Sequence, residues 1–228
     1  MSLDLRTGKP VWSINKPRIA RHSKLKKNIR SEVVVIGGGI SGALIAHKLT
    51  NLGMQVTIID SRKIGAGSTA ASTAILSYEA DVNLGDLIKT IGKRRAVRGY
   101  RLGIEAIESI AETVKTLDDA CDFKKRRSLY LASHLKDVKL LEREFKVRLK
   151  NEFKVELLQK RELAKAFSMD ASCAILNEEA AEVNPLKLTL ALVRCARAGT
   201  PVCPRWRNGV NHLAMVFGSL SSAISHFS

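Results

Sequence analysis

Residues 33–44 read VVVIGGGISGAL, a β-branched run that breaks directly into a GxGxxG register at Gly37, Gly39 and Gly42. Few arrangements satisfy that pattern. A buried parallel strand has to turn sharply into a helix: the first glycine permits the turn, the second lets a phosphate approach bare backbone, and the third lets helix pack on strand. The helix then begins with free N–H groups and the positive end of its dipole, which together favour a dinucleotide's pyrophosphate. Gly37, Gly39, Ile40, Ser41 and Gly42 are the first candidate cofactor-binding residues.

Leu44, Ile45, Ala46, Leu49 and Leu52 recur at helical spacing, with Asn51 and Gly53 as a stop, and so predict a crossover helix over 40–52. Residues 54–59, MQVTII, then read as a second strand ending in Asp60, which stands 18 residues beyond Gly42. A carboxylate at that place accepts hydrogen bonds from the ribose hydroxyls of an adenosine and repels a 2′-phosphate, so NADP is disfavoured while FAD and NAD remain. Residues 61–81, SRKIGAGSTAASTAILSYEAD, are packed with small and hydroxylated residues. Gly65 and Gly67 let backbone pass close to a bulky ligand, and Ser68, Thr69, Ser72 and Thr73 offer hydroxyl and N–H groups to phosphates or a flavin ring. Asp60, Ser61, Ser68, Thr69 and Ser72 therefore join the candidates. A flexible loop leading to a hydroxyl-capped helix is the plainer alternative for this segment.

Taken in order, VVVIGGGISGAL, IIDSRKIGAGSTAAST, YEAD with the basic helix GKRRAVRGYRLGIEAI, SLYLAS and EEAAEVNPLKLTLALVRCARA resemble the FAD-dependent oxidoreductases of the D-amino-acid oxidase and glycine oxidase superfamily, over roughly residues 9–198. The resemblance implies an FAD site in which Gly37, Gly39 and Gly42 hold the pyrophosphate, Asp60 holds the adenosine ribose, and residues 68–73 lie near the pyrophosphate and isoalloxazine. It also implies an oxidation of a small-molecule amine or amino acid, with hydride passing from the carbon beside nitrogen to the flavin. The cofactor carries that chemistry, and no motif here marks a catalytic side chain.

Complete chains of that superfamily are markedly longer than 228 residues. After Ala198 the text changes character: GTPVCPRWRNGVNHLAMVFGSLSSAISHFS holds no Asp, Glu or Lys. A strand returning to the nucleotide-binding sheet is expected there, yet Pro201 and Pro204 remove ladder donors within four residues and argue against a central strand at that point. The expectation is that 199–228 is an atypical tail, from a frameshift, an alternative end or a truncated reading frame. A catalytically inactive FAD-binding remnant is accordingly an alternative to an oxidoreductase. An NAD-dependent dehydrogenase is a second alternative, weakened by the hydroxyl-rich segment after Asp60.

The middle of the chain changes rhythm. Val97, Tyr100, Ile104, Ile107, Ala111 and Val114 form an apolar stripe at helical spacing, with Tyr100 read as core. Short strands are predicted over 128–133 and 155–158, helices over 135–153, 160–167 and 186–197, the last opened by Asn184 and Pro185. The expected organisation is a basic leader over 1–30, a Rossmann-like FAD-binding domain over 31–118, a partial substrate-domain insertion over 119–183, a helix returning to the FAD domain over 184–198, and the tail. The fold class is α/β, a Rossmann-like domain with a partial α+β insertion.

Composition narrows the partners. With 45% hydrophobic and 26% charged residues the chain reads as globular, and its longest candidate span, residues 209–227, lacks charge but is too interrupted by Asn211, His212 and serines to cross a membrane. Cys121, Cys173, Cys195 and Cys203 form no CxxC pair, and His22, His47, His134, His212 and His226 are scattered, so no metal is expected and a reducing cytoplasm is. Half of the +16 net charge lies in residues 1–30. That leader resembles the superfamily's own N-terminus and is read as draped over the domain. Aromatics make up only 5% of the chain, which argues against nucleic acid. The oligomeric state is not legible.

Overall fold

A computed structural model describes residues 10–14 and 30–198, together with the backbone of 213–217. In chain order the elements are β1 (Val33–Ile36), α1 (Ile40–Asn51), β2 (Val56–Asp60), β3 (Ile75–Leu76), α2 (Leu84–Ile91), α3 (Lys93–Lys115), β4 (Lys124–Leu131), α4 (Val138–Lys150), β5 (Val155–Gln159), α5 (Lys160–Phe167), β6 (Cys173–Glu182), α6 (Pro185–Ala198) and β7 (Leu213–Phe217). They divide into two compact units: Met1–Ala74 with Val114–Asp122 and Asn184–Ser228, and Ile75–Thr113 with Phe123–Val183.

The first unit carries a parallel sheet in the order β1-β2-β7. Val33 stands opposite Val56 and Ile36 opposite Ile59; on the far side of β2, Val56 stands opposite Leu213 and Asp60 opposite Phe217. Parallel neighbours need a crossover, which α1 supplies. The central β2 has Val56, Thr57, Ile58 and Ile59 all buried, the near-continuous burial of a strand covered on both faces. Helix α6 packs on α1, and Asn184 Oδ1 accepts from the Lys187 N–H at 3.1 Å to cap its start. A 3-10 turn at Val11–Ser13 lies in the same unit, and Trp12 Nε1–H donates to the Ser72 carbonyl at 2.9 Å.

The second unit is built on an antiparallel sheet centred on β6. Strand β4 runs along one side, from Lys124 opposite Glu182 to Leu131 opposite Ala174, with an irregularity between Arg126 and Ser128. Strand β5 pairs β6 from Val155 opposite Asn177 to Gln159 opposite Cys173, and β3 pairs its far end. Side chains of β6 alternate between two clusters. Cys173 and Ile175 pack with Leu141 of α4 and Ala132, whereas Ala174 and Leu176 pack with Leu158 and with Leu163 of α5. A third cluster joins Tyr78, Leu84, Ala96, Tyr100, Ile107 and Phe153. Tyr78 stacks on Phe153 at 5.7 Å, and Tyr100 meets both edge-on.

A charged network is buried in this unit. Glu144 accepts from the N–H groups of Leu84 at 2.8 Å and Gly85 at 3.0 Å, so it caps α2 from another helix. Arg148 Nε donates to Glu144 at 2.7 Å and its Nη1 to Glu79. The guanidinium lies over the rings of Tyr100 and Tyr130, 5.7 and 5.8 Å from their centroids. Arg148 and Glu144 are 1% and 3% exposed, so neither charge is tolerable without the other.

Several expectations differ in detail. Residues 135–153 are not one helix: a 3-10 turn at Leu135–Asp137 precedes α4, and the helix stops at Asn151 because Glu152 takes a left-handed conformation that turns Phe153 into the core. The strand read at 128–133 is β4, which begins four residues earlier, and 54–59 is β2, shifted to Val56–Asp60. Residues 75–113 belong to the second unit, because the stripe through Tyr100 and Ile107 packs on Tyr78, Phe153 and Ala181. A third parallel strand, β7, does follow α6, beyond the two prolines. Pro201, Pro204, Cys203, His22, His212 and His226, most of the leader and the rest of the tail lie outside the described residues.

Candidate functional site

The glycine turn sits at the C-terminal end of β1. Gly37 has φ +107°, which side chains rarely adopt, and nothing lies within 4 Å of where its Cβ would stand. Its N–H continues the ladder by donating to the Ile59 carbonyl at 2.7 Å. At Gly42 a Cβ would be 1.9 Å from the Gly37 carbonyl oxygen and 3.2 Å from Val35 Cγ1. The first glycine therefore opens the turn, and the third lets α1 close onto it.

Asp60 holds the turn against β2. Its Oδ2 accepts from the Gly38 N–H and its Oδ1 from the Arg62 N–H, both at 2.7 Å. The carboxylate is half-buried, and among the described residues it has no ion-pair partner. Each oxygen thus keeps a further lone pair. Gly65 N–H donates to the Gly38 carbonyl at 2.9 Å, and Ile64, 2% exposed, fills the space beneath.

Thr69 completes the arrangement from a 3-10 turn at Ser68–Ala71. Its Oγ1 accepts from the Ile40 N–H at 3.0 Å and would stand 3.0 Å from a Cβ at Gly39. Helix α1 follows Gly39, which offers no side chain to cap it, and has no acid in its first turn; Thr69 takes the Ile40 N–H, and the rest of the positive helix end is left available to an anion.

The turn from Gly37 to Gly42, Asp60 and Thr69 are brought together. Ser41, Ser61, Ser68 and Ser72 are exposed, and Ser72 Oγ accepts from the Ala74 N–H at 3.1 Å. Sequence reasoning passed over Gly38 and Ile64; the middle glycine of the GGG run was the available sign that backbone, not side chain, meets the carboxylate there. An open face at Gly37, an unopposed helix dipole and a carboxylate with spare lone pairs fit a dinucleotide with a pyrophosphate and an unphosphorylated adenosine ribose. Among the described residues no cluster of His, Cys, Asp and Glu could hold a metal ion, and no helix is long and apolar enough to cross a membrane.

The chain is 26% identical over 178 residues to gamma-glutamylputrescine oxidoreductase of Escherichia coli, covering 76% of this chain and 41% of that one. Glycine oxidase of Geobacillus kaustophilus superposes with a TM-score of 0.62 at 18% identity, covering 82% of this chain and 46% of the other. Dithionite-reduced L-α-glycerophosphate oxidase of Mycoplasma pneumoniae with FAD bound gives 0.62 at 16% identity, covering 82% and 44%. The chain thus spans less than half the length of each. Residues 32–202 match a family described as DAO, FAD-dependent oxidoreductase. Matched by that family model over most of its length, and mixed α/β in architecture, the chain belongs to the DAO family of FAD-dependent oxidoreductases.

Proposed function

We propose that this chain binds FAD at the Gly37–Gly42 turn and serves the oxidation of a small amine or amino acid, hydride leaving the carbon beside nitrogen. The observation that carries the reading is Asp60, whose two oxygens fix Gly38 and Arg62 while leaving lone pairs for ribose hydroxyls. Gly39, Ser41 and Gly42 present backbone N–H to the pyrophosphate beside Ile40, whose own N–H is held by Thr69, which sets the direction of the first helical turn. Ser61, Ser68 and Ser72 stand exposed for further polar contact. When bound, FAD supplies the hydride acceptor; the chain's own residues bind and orient it. An amine or amino-acid substrate is the class named by two of the relatives, gamma-glutamylputrescine oxidoreductase and glycine oxidase.

The described cysteines, Cys121, Cys173 and Cys195, are free, in keeping with a reducing compartment such as the cytoplasm. Burial pushes the Cys121 thiol up to about 12, far from a reactive thiolate.

The test is an absorption spectrum of the purified chain before and after addition of FAD, followed by anaerobic mixing with amino acids and amines. Retained flavin absorbance that bleaches with an amine donor is expected. A chain that retains FAD but is reduced by no donor is a binding remnant without catalysis. Retention of NAD and not FAD overturns the cofactor.

A further inference from the structure

Lys139, Arg143, Lys146 and Lys150 follow one another at spacings of four, three and four, so they form a single row along α4. Lys136 continues the row onto the preceding turn. All five are exposed, and the row lies opposite Leu141, Glu144 and Arg148, which are buried.

Some exposed cations of this unit are neutralised: Arg98 pairs with Glu105, Lys125 with Glu108, Arg126 with Glu182 and Lys160 with Asp170. Others, such as Lys93, Arg94, Arg95, Lys124, Arg161 and Lys165, are in no ion pair among the described residues; what sets the row apart is that five cations lie on one helix face. Among the described residues none of the five row cations is in an ion pair. Glu142 borders the row without pairing to it, and Asp137 is engaged with the His134 N–H. Like charges three and four residues apart weaken a helix, so the row does not serve the stability of α4.

Leucines flank it. Leu140 and Leu149 lie on the two sides of the row, 45% and 55% exposed, and Leu135, 81% exposed, stands at its start. Ammonium and guanidinium groups meet lipid phosphates and carboxylates, and leucines beside them reach the acyl boundary. A nucleic acid offers the leucines nothing, and the row has no aromatic ring for bases to stack on.

We propose that the outer face of α4 is a peripheral docking surface for an anionic lipid bilayer. The expectation of no membrane partner rested on the absence of a spanning segment, which an adsorbing surface does not need.

Co-sedimentation of the full chain with vesicles tests it. The wild type is expected to bind phosphatidylserine-containing vesicles and not pure phosphatidylcholine, with binding lost as salt is raised. The triple variant Lys139→Glu, Arg143→Glu, Lys146→Glu is expected to bind about a hundredfold more weakly or worse, since each cation near an anionic surface is worth about fivefold. The neutral set Lys139→Gln, Arg143→Gln, Lys146→Gln should show an intermediate loss with an unchanged thermal melt. Lys26→Glu with Lys27→Glu, in the basic leader, should matter far less. Undiminished binding by the triple variant, or loss confined to the leader variant, overturns the assignment. So does duplex DNA that binds through the row while vesicles do not.

Discussion

Asp60 and Glu144 perform the same local task in opposite settings. Each carboxylate accepts from two backbone N–H groups, Asp60 from Gly38 and Arg62, Glu144 from Leu84 and Gly85. Glu144 is 3% exposed and its charge is met by Arg148, itself held by Glu79 and two aromatic rings. Asp60 is half-buried and has no ion-pair partner among the described residues. Glu144 accepts three hydrogen bonds and is shut in the core, whereas Asp60 accepts two and is only half-buried. A polar group that is fully satisfied stabilises a fold, while one left partly open in a concave turn can receive a ligand.

Substitutions can break that contrast. The largest effect is expected at Gly42→Val, where the Cβ would overlap the Gly37 carbonyl oxygen: flavin-fluorescence titration should show no measurable FAD binding, while the far-UV spectrum of the chain is kept. Arg148→Met strands Glu144 and Glu79 in the core and should lower the stability of the second unit by about 3–5 kcal/mol in urea unfolding. FAD affinity before unfolding should hardly change. Asp60→Asn keeps the shape but weakens both charge-assisted bonds, and a loss of FAD affinity of about ten- to a hundredfold by titration would match about 1.5–3 kcal/mol.

Smaller effects sharpen the picture of the second unit. Burial pushes the Tyr100 phenol up to about 12 from its usual 10.0. Its folded value lies above the unfolded one, so its contribution is complete below about pH 10 and is lost as pH rises to about 12. Urea midpoints should fall across that window, and less steeply in Tyr100→Phe. Smallest of all is Tyr78→Phe. The Tyr78 hydroxyl is buried with no hydrogen-bond partner among the described residues, so its removal should leave stability unchanged or raise it by up to about 1 kcal/mol in the same assay.

The glycine turn was legible because its shape is carried by backbone. GxGxxG and an acid 18 residues on are spacings in one dimension, and β1, α1 and β2 formed where those spacings put them. Thr69 was legible as a hydroxyl, but its actual partner, the Ile40 N–H, was not, because that bond depends on a turn the sequence does not announce. The second unit was harder. Strand β6, which every other strand of its sheet pairs with, reads CAILNEEAAE, and its alanines and glutamates carry little strand preference of their own. Its conformation comes from burial between α4 and α5. The Glu79–Arg148–Glu144 network was invisible for the same reason: only the first of those three residues stood in a noticed motif, and charges usually signal surface.

The ladder in which Val56 meets Leu213 closes across the whole inserted unit. During synthesis every residue of that unit, ending at Val183, is available before β7 exists. The antiparallel sheet can mature while β1 and β2 wait for their third strand. A lesion in the inserted sheet therefore acts at a distance in time. By delaying or misfolding the material between Ala74 and Asn184, it holds back the third strand of the parallel sheet that carries the glycine turn, even though it touches none of the residues that form that turn.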